Sequence, residues 1–483
     1  MEEFLTKDIE ALQEQKEERA RTVVGRQLAS FVDMVPDRSE LIEAIVEAAK
    51  SRKGAWASLC DLLSALVVEA AGGNLTAVEY SQKAMSKQAL HVFIGTHWVQ
   101  IRTQIYYDYV NDCCERAGLT DAYLQDPDFM NKVYERVGFM VARDRQMYVP
   151  HGEVWVNMQN GTLVVDSNGD VQLRAHDRED FFTYVLPYHY LPAATCPKWH
   201  KFLDQVLPEV QAQMLLAEYM GYCFTTDLKM EKMLVLYGGG SNGKSVTTDI
   251  LRELLGRENV SSVDLEKLTT DDNHRSLIEG KLANIAQENG PNVSYSILKN
   301  LVSGEPVMSK TLYKDPRLIT QYGKLISSYN QLPRSEATFG FFRRWIVMPF
   351  DVTIKEEERD VHLKDKLSEE LPGILNWVLE GLKRLVMNHA FTESEVCNTM
   401  LHKYKLSTNS ALRFCEERLV VADEGRMAIK TIYEEYNKYC NEDGVTNRYG
   451  RNNFIEQLEK WGAEFVFNSN HKLFKVMFKS VES

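Results

Sequence analysis

The chain has 483 residues, enough for about three domains with separate cores. Apolar residues make up 44% and charged residues 26%, a balance that excludes wholesale disorder. A formal net charge of −13 excludes a chain that coats nucleic acid non-specifically, while a basic channel or face remains compatible with an acidic exterior.

The eight cysteines are scattered, with Cys113 and Cys114 the closest pair and no C-x-x-C or zinc-type Cys/His spacing. They are expected to be reduced structural thiols without a metal cluster. The first residues contain no basic segment leading into an apolar core, and no apolar run reaches about 18 residues. A soluble cytoplasmic protein without membrane association is the expectation.

Residues 1–85 are expected to form a helical N-terminal segment. Mixed charge from Lys7 to Arg21 suits a solvated face, and Asp37-Arg-Ser-Glu40 resembles a capping box. A helix over Ala55–Ala71 would turn Trp56, Leu59, Leu62, Leu63, Leu66 and Val67 inward and stop at Gly72-Gly73. Such a segment fits a packing or oligomerisation module better than a catalytic one.

Residues 86–230 read as a mixed α/β domain. His91–Gln100 suggests a hairpin, Tyr106–Cys114 a helix, and Val154–Asn157 with Thr162–Val165 and Val171–Leu173 a second set of antiparallel strands. Asp166 and Asp170 flank Ser167-Asn-Gly169, where carboxylates serve turn chemistry far more often than metals. Cys196-Pro197 opens one helix, and Pro208–Phe224 forms another.

In residues 231–395 strands and helices alternate, which predicts a parallel sheet flanked by helices. The apolar run Lys232–Tyr237 leads into Gly238, Gly239, Gly240, Ser241, Asn242, Gly243, Lys244 and Ser245, a complete G-x-x-x-x-G-K-[ST] pattern, and a helix follows over Val246–Leu255. The glycines let backbone N–H groups turn around phosphate oxygens, and the helix N-terminus adds favourable partial charge. Lys244 is expected to reach the β/γ-phosphates and Ser245 to ligate Mg²⁺.

Hydrolysis also requires an acid and a positive group. The strand Leu282–Glu288 ends in Glu288, where a carboxylate would organise metal and water, although Gln287 stands where a first acid is usual. The next strand, Lys324–Asn330, ends in Asn330, able to hydrogen-bond an attacking water and a γ-phosphate. Arg343 and Arg344 precede the buried strand Trp345–Phe350. An arginine finger acting on a neighbouring subunit raises rate by about 10³–10⁵ and needs a head-to-tail ring. Sequence alone does not choose between the two arginines. Between Glu288 and Asn330, the stretch Leu298–Arg317 suits an inserted hairpin whose Lys310 and Lys314 would grip a single strand in a channel.

Residues 400–483 form a small α+β unit. Thr431–Cys440 and Asn452–Trp461 read as helices, and Glu464–Phe467 with Leu473–Phe478 as a hairpin, the parts of a winged helix-turn-helix. Arg448, Arg451, Asn452 and Lys472 are its candidate DNA contacts.

Together these pieces resemble the superfamily 3 helicases, in particular the phage, plasmid and poxvirus primase–helicase branch. The resemblance rests on Gly238–Ser245, Ala286-Gln-Glu288, Leu298–Glu305, Ser328-Tyr-Asn-Gln-Leu-Pro333, Phe342-Arg-Arg344 and the closing helix Glu370–Arg384. Val156–Gly161 and Tyr188–Thr225 are similar to the preceding domain of that branch, so the resemblance spans about 90–480.

It implies an α/β, AAA+-like P-loop ATPase core and a hexameric homo-oligomeric ring. It further implies ATP and Mg²⁺ as cofactors, single-stranded and forked DNA as partners, and a separate primase or polymerase alongside. The helical start is too short for the primase domain that relatives often carry. Two other readings stay open at the level of sequence: a nucleotide-switched assembly or remodelling ATPase acting on protein, and an origin-binding protein in which ATP promotes assembly alone.

Overall fold

The computed structural model describes residues 22–35, 43–45, 55–78, 89–116, 126–142, 149–226, 228–287, 293–310, 316–333, 342–446, 448–468 and 471–479. The expected features at Lys7–Arg21 and Asp37–Glu40 lie outside the described residues. The chain divides into two compact units, residues 1–192 with 224–227 and residues 193–223 with 228–483.

The first unit opens with α1 (Val23–Val32), whose N-cap Thr22 accepts the Gly25 N–H at 2.9 Å. Next come α2 (Ala55–Ala70) and a three-stranded antiparallel sheet, β1 (Leu75–Val78), β2 (Ala89–Phe93) and β3 (Trp98–Gln100). Strand β1 corrects the all-helical expectation for residues 1–85. Positive φ at Gly72 and Gly73 reverses the chain, and Leu75–Val78 then pairs with Ala89–Val92.

Helices α3 (Thr103–Arg116) and α4 (Pro127–Val141) complete this layer. Helix α4 escaped the sequence reading, although its signal is present. Asp126 caps it with Pro127 in the first turn, and Phe129, Met130, Val133, Val137 and Val141 fall on one buried face. The meander β4 (Val154–Met158), β5 (Gly161–Val165) and β6 (Val171–Arg174) is as the alternating pattern predicts. The Asn157 amide joins it to its surroundings, donating to Thr96 O at 2.9 Å and Tyr184 O at 2.8 Å. All eight cysteines are buried and none forms a disulfide.

The second unit begins with α5 (Pro197–Val206) and α6 (Val210–Tyr222). Its centre is a parallel sheet of β7 (Met233–Tyr237), β8 (Val260–Ser261), β9 (Ala283–Gln287), β12 (Lys324–Tyr329) and β13 (Trp345–Pro349) in the order β13-β7-β12-β9-β8; β10 (Val307–Ser309) and β11 (Arg317–Ile319) form a separate antiparallel pair. Strands buried on both faces need apolar residues throughout, and Met233-Leu-Val-Leu236 and Trp345–Pro349 supply them. Each fully buried Val, Leu or Ile contributes about 1.5–3 kcal/mol.

Helix α7 (Lys244–Leu254) covers one sheet face, where Arg252 donates to Ile285 O at 3.1 Å. Helix α8 (Tyr295–Val302) belongs to the opposite core, with Leu298, Leu301, Met233, Val235, Leu325 and Val347. Helix α9 (Leu371–Asn388) packs on α6 through glycines: a Cβ on Gly381 would lie 2.5 Å from Ala217 C, and one on Gly221 2.8 Å from Leu382 Cβ. Both α5 and α6 belong to the second unit.

Helix α10 (Glu395–Thr408) leads out of the sheet, its Tyr404 hydroxyl donating to Pro333 O at 2.8 Å. The last section comprises α11 (Ser410–Arg418), β14 (Leu419–Val421), β15 (Met427–Ala428), α12 (Ile429–Glu442), α13 (Arg451–Lys460), β16 (Phe465–Asn468), β17 (His471–Phe474) and β18 (Val476–Phe478). The expected single strand over 473–478 is two strands. β17 pairs with β16 and β15, whereas β18 pairs with β14, so the chain changes sheets at Lys475. Phe414, Tyr436, Phe454 and Phe474 form the core of this section.

Candidate functional site

The glycine loop is laced into the sheet edge. Gly238 N–H donates to Tyr329 O at 3.1 Å, Phe350 N–H to Tyr237 O at 2.7 Å, and the Asn242 amide to Phe350 O at 2.7 Å. Glycine is required at 238, since a Cβ there would sit 2.2 Å from Asn242 Nδ2 and 2.3 Å from Phe350 O. The turn itself needs left-handed backbone at Gly240, Ser241 and Gly243, with φ of +105°, +52° and +88°. Around Gly239 and Gly240 the space is open.

The Lys244 ammonium folds back over the loop, donating to Gly238 O at 2.5 Å and Asn242 Oδ1 at 3.1 Å. Its burial pushes the lysine pKa below the ordinary value. Ser245, next on α7, is exposed. Open space at Gly239–Gly240, a buried cation and an exposed hydroxyl at a helix N-terminus fit a nucleotide phosphate with its divalent cation. Arg359 was missed by the sequence reading. Its guanidinium donates to Ser241 Oγ at 2.7 Å, and Ile354 N–H donates to Ser241 O at 2.8 Å. Nothing in the acidic run Glu356–Glu358 signals that contact.

Sheet register brings further expected residues to the same edge. β12 pairs Tyr329 with Tyr237 and Ser328 with Gln287, so Asn330, exposed just past β12, leaves the sheet beside the glycine loop. Gln287 ends β9 and donates to Thr248 Oγ1 on α7 at 3.3 Å. Glu288 lies outside the described residues.

The two arginines have different surroundings. Arg344 is buried, its Nε donating to Ser303 Oγ at 3.2 Å and its Nη2 to Glu231 Oε2 at 3.1 Å. Arg343 is exposed and meets the same Glu231 oxygen at 3.3 Å. The pair thus differs in burial, Arg344 being enclosed and Arg343 open to solvent.

Lys310 is exposed at the end of β10, its N–H bound to Asp272 O at 3.0 Å. Both strands of the β10–β11 pair are tied to neighbouring segments. Arg275, itself buried and ion-paired to Asp272, donates to Met308 O at 2.5 Å, and Arg317 forms a two-pronged pair with Glu279. Lys314 lies outside the described residues.

In the last section, Arg451 and Asn452 are exposed in the first turn of α13. Arg448 instead holds its own turn, donating to Asn441 Oδ1 at 2.5 Å and Val445 O at 3.3 Å. Lys472 lies in β17 opposite Phe467, its side chain outside the described residues. Asp166 accepts the Asn168 and Asp170 N–H groups, both at 2.8 Å, so this acid holds a turn. Among the described residues no three His, Cys, Asp or Glu side chains converge as metal ligands, and no helix is long and apolar enough to cross a membrane.

Residues 78–208 match the family described as "D5 N terminal like", and residues 236–344, from the glycine loop to Arg344, match one described as "Family of unknown function (DUF5906)". A protein of Acanthamoeba polyphaga mimivirus named "Putative helicase L207/L206" is 25% identical over 310 residues, covering 57% of this chain and 32% of that protein. The chain thus spans about a third of the length of this curated relative.

Among solved structures, two apo forms of the NrS-1 C-terminal region overlap it. One is 12% identical with a TM-score of 0.45, covering 81% of this chain and 94% of that one; the other is 10% identical at 0.46, covering 86% and 98%. In sequence the chain is similar to phage and viral primase–helicase proteins.

Proposed function

We propose that the chain is an ATP-driven ring helicase that moves along single-stranded DNA and separates duplex during replication of a phage, plasmid or other mobile element. The observation that carries this reading is the shared sheet edge, where register sets the Lys244 loop beside Asn330 and the end of β9. The sheet order, with the Asn330 strand between the loop strand and the β9 strand, supports an AAA+-like core.

Lys244 holds phosphate oxygens of ATP, Ser245 is the metal-facing hydroxyl, Glu288 polarises the attacking water, and Asn330 orients that water against the γ-phosphate. Mg²⁺, when bound, neutralises charge on the transferred phosphoryl. Arg343, exposed beside its buried neighbour, completes the site of the next subunit in a closed head-to-tail ring, which we read as a hexamer. Lys310, directly after β10, and Lys314 grip the strand. The last section is read as a winged helix that offers Arg451 and Asn452 to DNA.

The test is ATP turnover by the full chain with and without single-stranded DNA, together with separation of a forked duplex. Turnover stimulated by the strand, strand separation that needs hydrolysis, and loss of both in Lys244→Ala are expected. Turnover indifferent to DNA with no strand separation would sink the helicase reading and favour the remodelling ATPase.

A further inference from the structure

The departure at Gln287, where an acid is usual, has a counterpart in the way its carboxamide is held. Thr248 is fully buried one turn into α7, and its hydroxyl donates to Ser245 O at 3.0 Å. A hydroxyl has one hydrogen to give, so the Thr248 oxygen can only accept from elsewhere. Gln287 Nε2 supplies that hydrogen at 3.3 Å. The direction of this chain, Gln287 to Thr248 to Ser245, specifies an amide at 287. A carboxylate has no hydrogen to donate and would compete for the one Thr248 already uses. With Nε2 committed to Thr248, the oxygen of the same carboxamide is the end presented as an acceptor.

A second observation falls at the same place. Ser328 lies opposite Gln287 in the β9–β12 register, on the same sheet face, and opposite Leu236 of β7, two residues before the glycine loop. Its Oγ is buried with no hydrogen-bond partner among the described residues. A buried hydroxyl left without a partner costs free energy unless a water or ligand meets it. The unmet hydroxyl therefore sits between the loop strand and Gln287.

We propose that Gln287 and Ser328 are positioning residues for the water shell of the divalent cation that accompanies a nucleotide at Ser245. The Gln287 carboxamide oxygen accepts from that shell, the Ser328 hydroxyl lies next to it, and Thr248 holds the carboxamide in register. This rests on the nucleotide reading given above. Because glutamine is neutral where an acid is usual, this side of the site binds the cation weakly by itself. The cation is then retained chiefly as a complex with nucleotide phosphates.

The experiment is a titration of a fluorescent adenine nucleotide on the full chain at a series of Mg²⁺ concentrations, which needs no turnover. Gln287→Asp adds a charge beside the cation and should lower the Mg²⁺ concentration for half-maximal nucleotide binding by about tenfold. Gln287→Ala should raise it several-fold. Thr248→Ala should shift it in the direction of Gln287→Ala, and Thr248→Ser, which keeps the hydroxyl, should restore it. A purely structural role for Gln287 would move the Asp and Ala variants in the same direction.

Unchanged half-saturation in both Gln287 variants, with nucleotide still bound, overturns this proposal alone. Failure of the unmodified chain to bind nucleotide at any Mg²⁺ concentration overturns the nucleotide reading and this proposal with it. Should Gln287→Asp not fold, Gln287→Ala with the Thr248 pair decides the matter, since unshifted values there have the same force.

Discussion

Arg343 and Arg344 converge on one oxygen of Glu231, at 3.3 Å and 3.1 Å, yet only Arg344 is enclosed by protein. Adjacent residues of one type thereby have different surroundings. Removing the Arg344 side chain leaves a void and takes the donor from buried Ser303, while half-exposed Glu231 keeps Arg343. Arg344→Ala should destabilise the second unit by about 2 kcal/mol, read as a lower denaturant midpoint. Arg343→Ala should unfold like the parent and bind nucleotide normally while losing about 10³-fold in turnover. Mixing Arg343→Ala with Lys244→Ala chains should recover part of that turnover, because in a ring each chain supplies what its neighbour lacks. No recovery in mixed assemblies would remove Arg343 from a role between subunits.

The glycine loop makes a contrast between neighbours. A Cβ at 238 would strike Asn242 Nδ2 and Phe350 O, both under 2.5 Å, whereas a Cβ at 239 meets nothing within 4 Å. Gly238→Ala should break the Asn242–Phe350 anchor, release the Lys244 acceptor and abolish nucleotide binding. Gly239→Ala should leave the fold and its melting temperature unchanged. Isothermal titration with nucleotide and thermal unfolding, run on both variants, distinguish a lost anchor from general sensitivity of the loop.

How much of this was legible beforehand follows from the range of the interactions. The strand, loop and helix around Lys244 are written in adjacent residues, and so is the β4–β6 meander, because apolar runs, alternation and turn residues act locally. Helix α4 was also written there, in Asp126-Pro127 and its apolar spacing, but went unread. Three features had no local signal. Burial separates Arg344 from Arg343, Ser241 meets Arg359 across 118 positions, and Gly381 admits α6 against α9. Each depends on what the fold brings near. Burial class and pairing of polar side chains are properties of the tertiary structure, and a sequence of residue types does not contain them in readable form.

Charge on Lys244 sets a pH dependence. Burial holds its pKa below that of an ordinary lysine, and phosphate binding needs the cation. Nucleotide affinity should therefore be full below the depressed pKa and fall as pH rises through it, earlier than an exposed lysine would allow. For folding the sign is opposite. The cost of burying the charge is present at lower pH and is relieved as pH rises from the folded pKa toward the unfolded one. Fluorescent-nucleotide titrations from neutral to alkaline pH check the first effect. Lys244→Arg, which stays charged, serves as the reference, and parallel curves for the two proteins would count against the assignment.

The β10–β11 hairpin offers the sharpest separation between hydrolysis and movement. Its strands are held by Arg275 on Met308 O and by the two-pronged Arg317–Glu279 pair, and Lys310 follows directly on β10. If Lys310 grips the strand, Lys310→Ala should keep basal ATP turnover within about twofold of the parent, because it lies outside the phosphate site. Strand separation should fall by an order of magnitude or more, and the salt dependence of single-strand binding should flatten by about one phosphate contact. Arg317→Ala should reproduce the loss of strand separation with Lys310 intact, because the strand pair is no longer held at Glu279. Lys310→Arg, which restores the charge, should recover most of the activity of the parent. Equal losses of turnover and strand separation in Lys310→Ala would instead place this lysine in the folding of the sheet edge, and the coupling role would pass to another element.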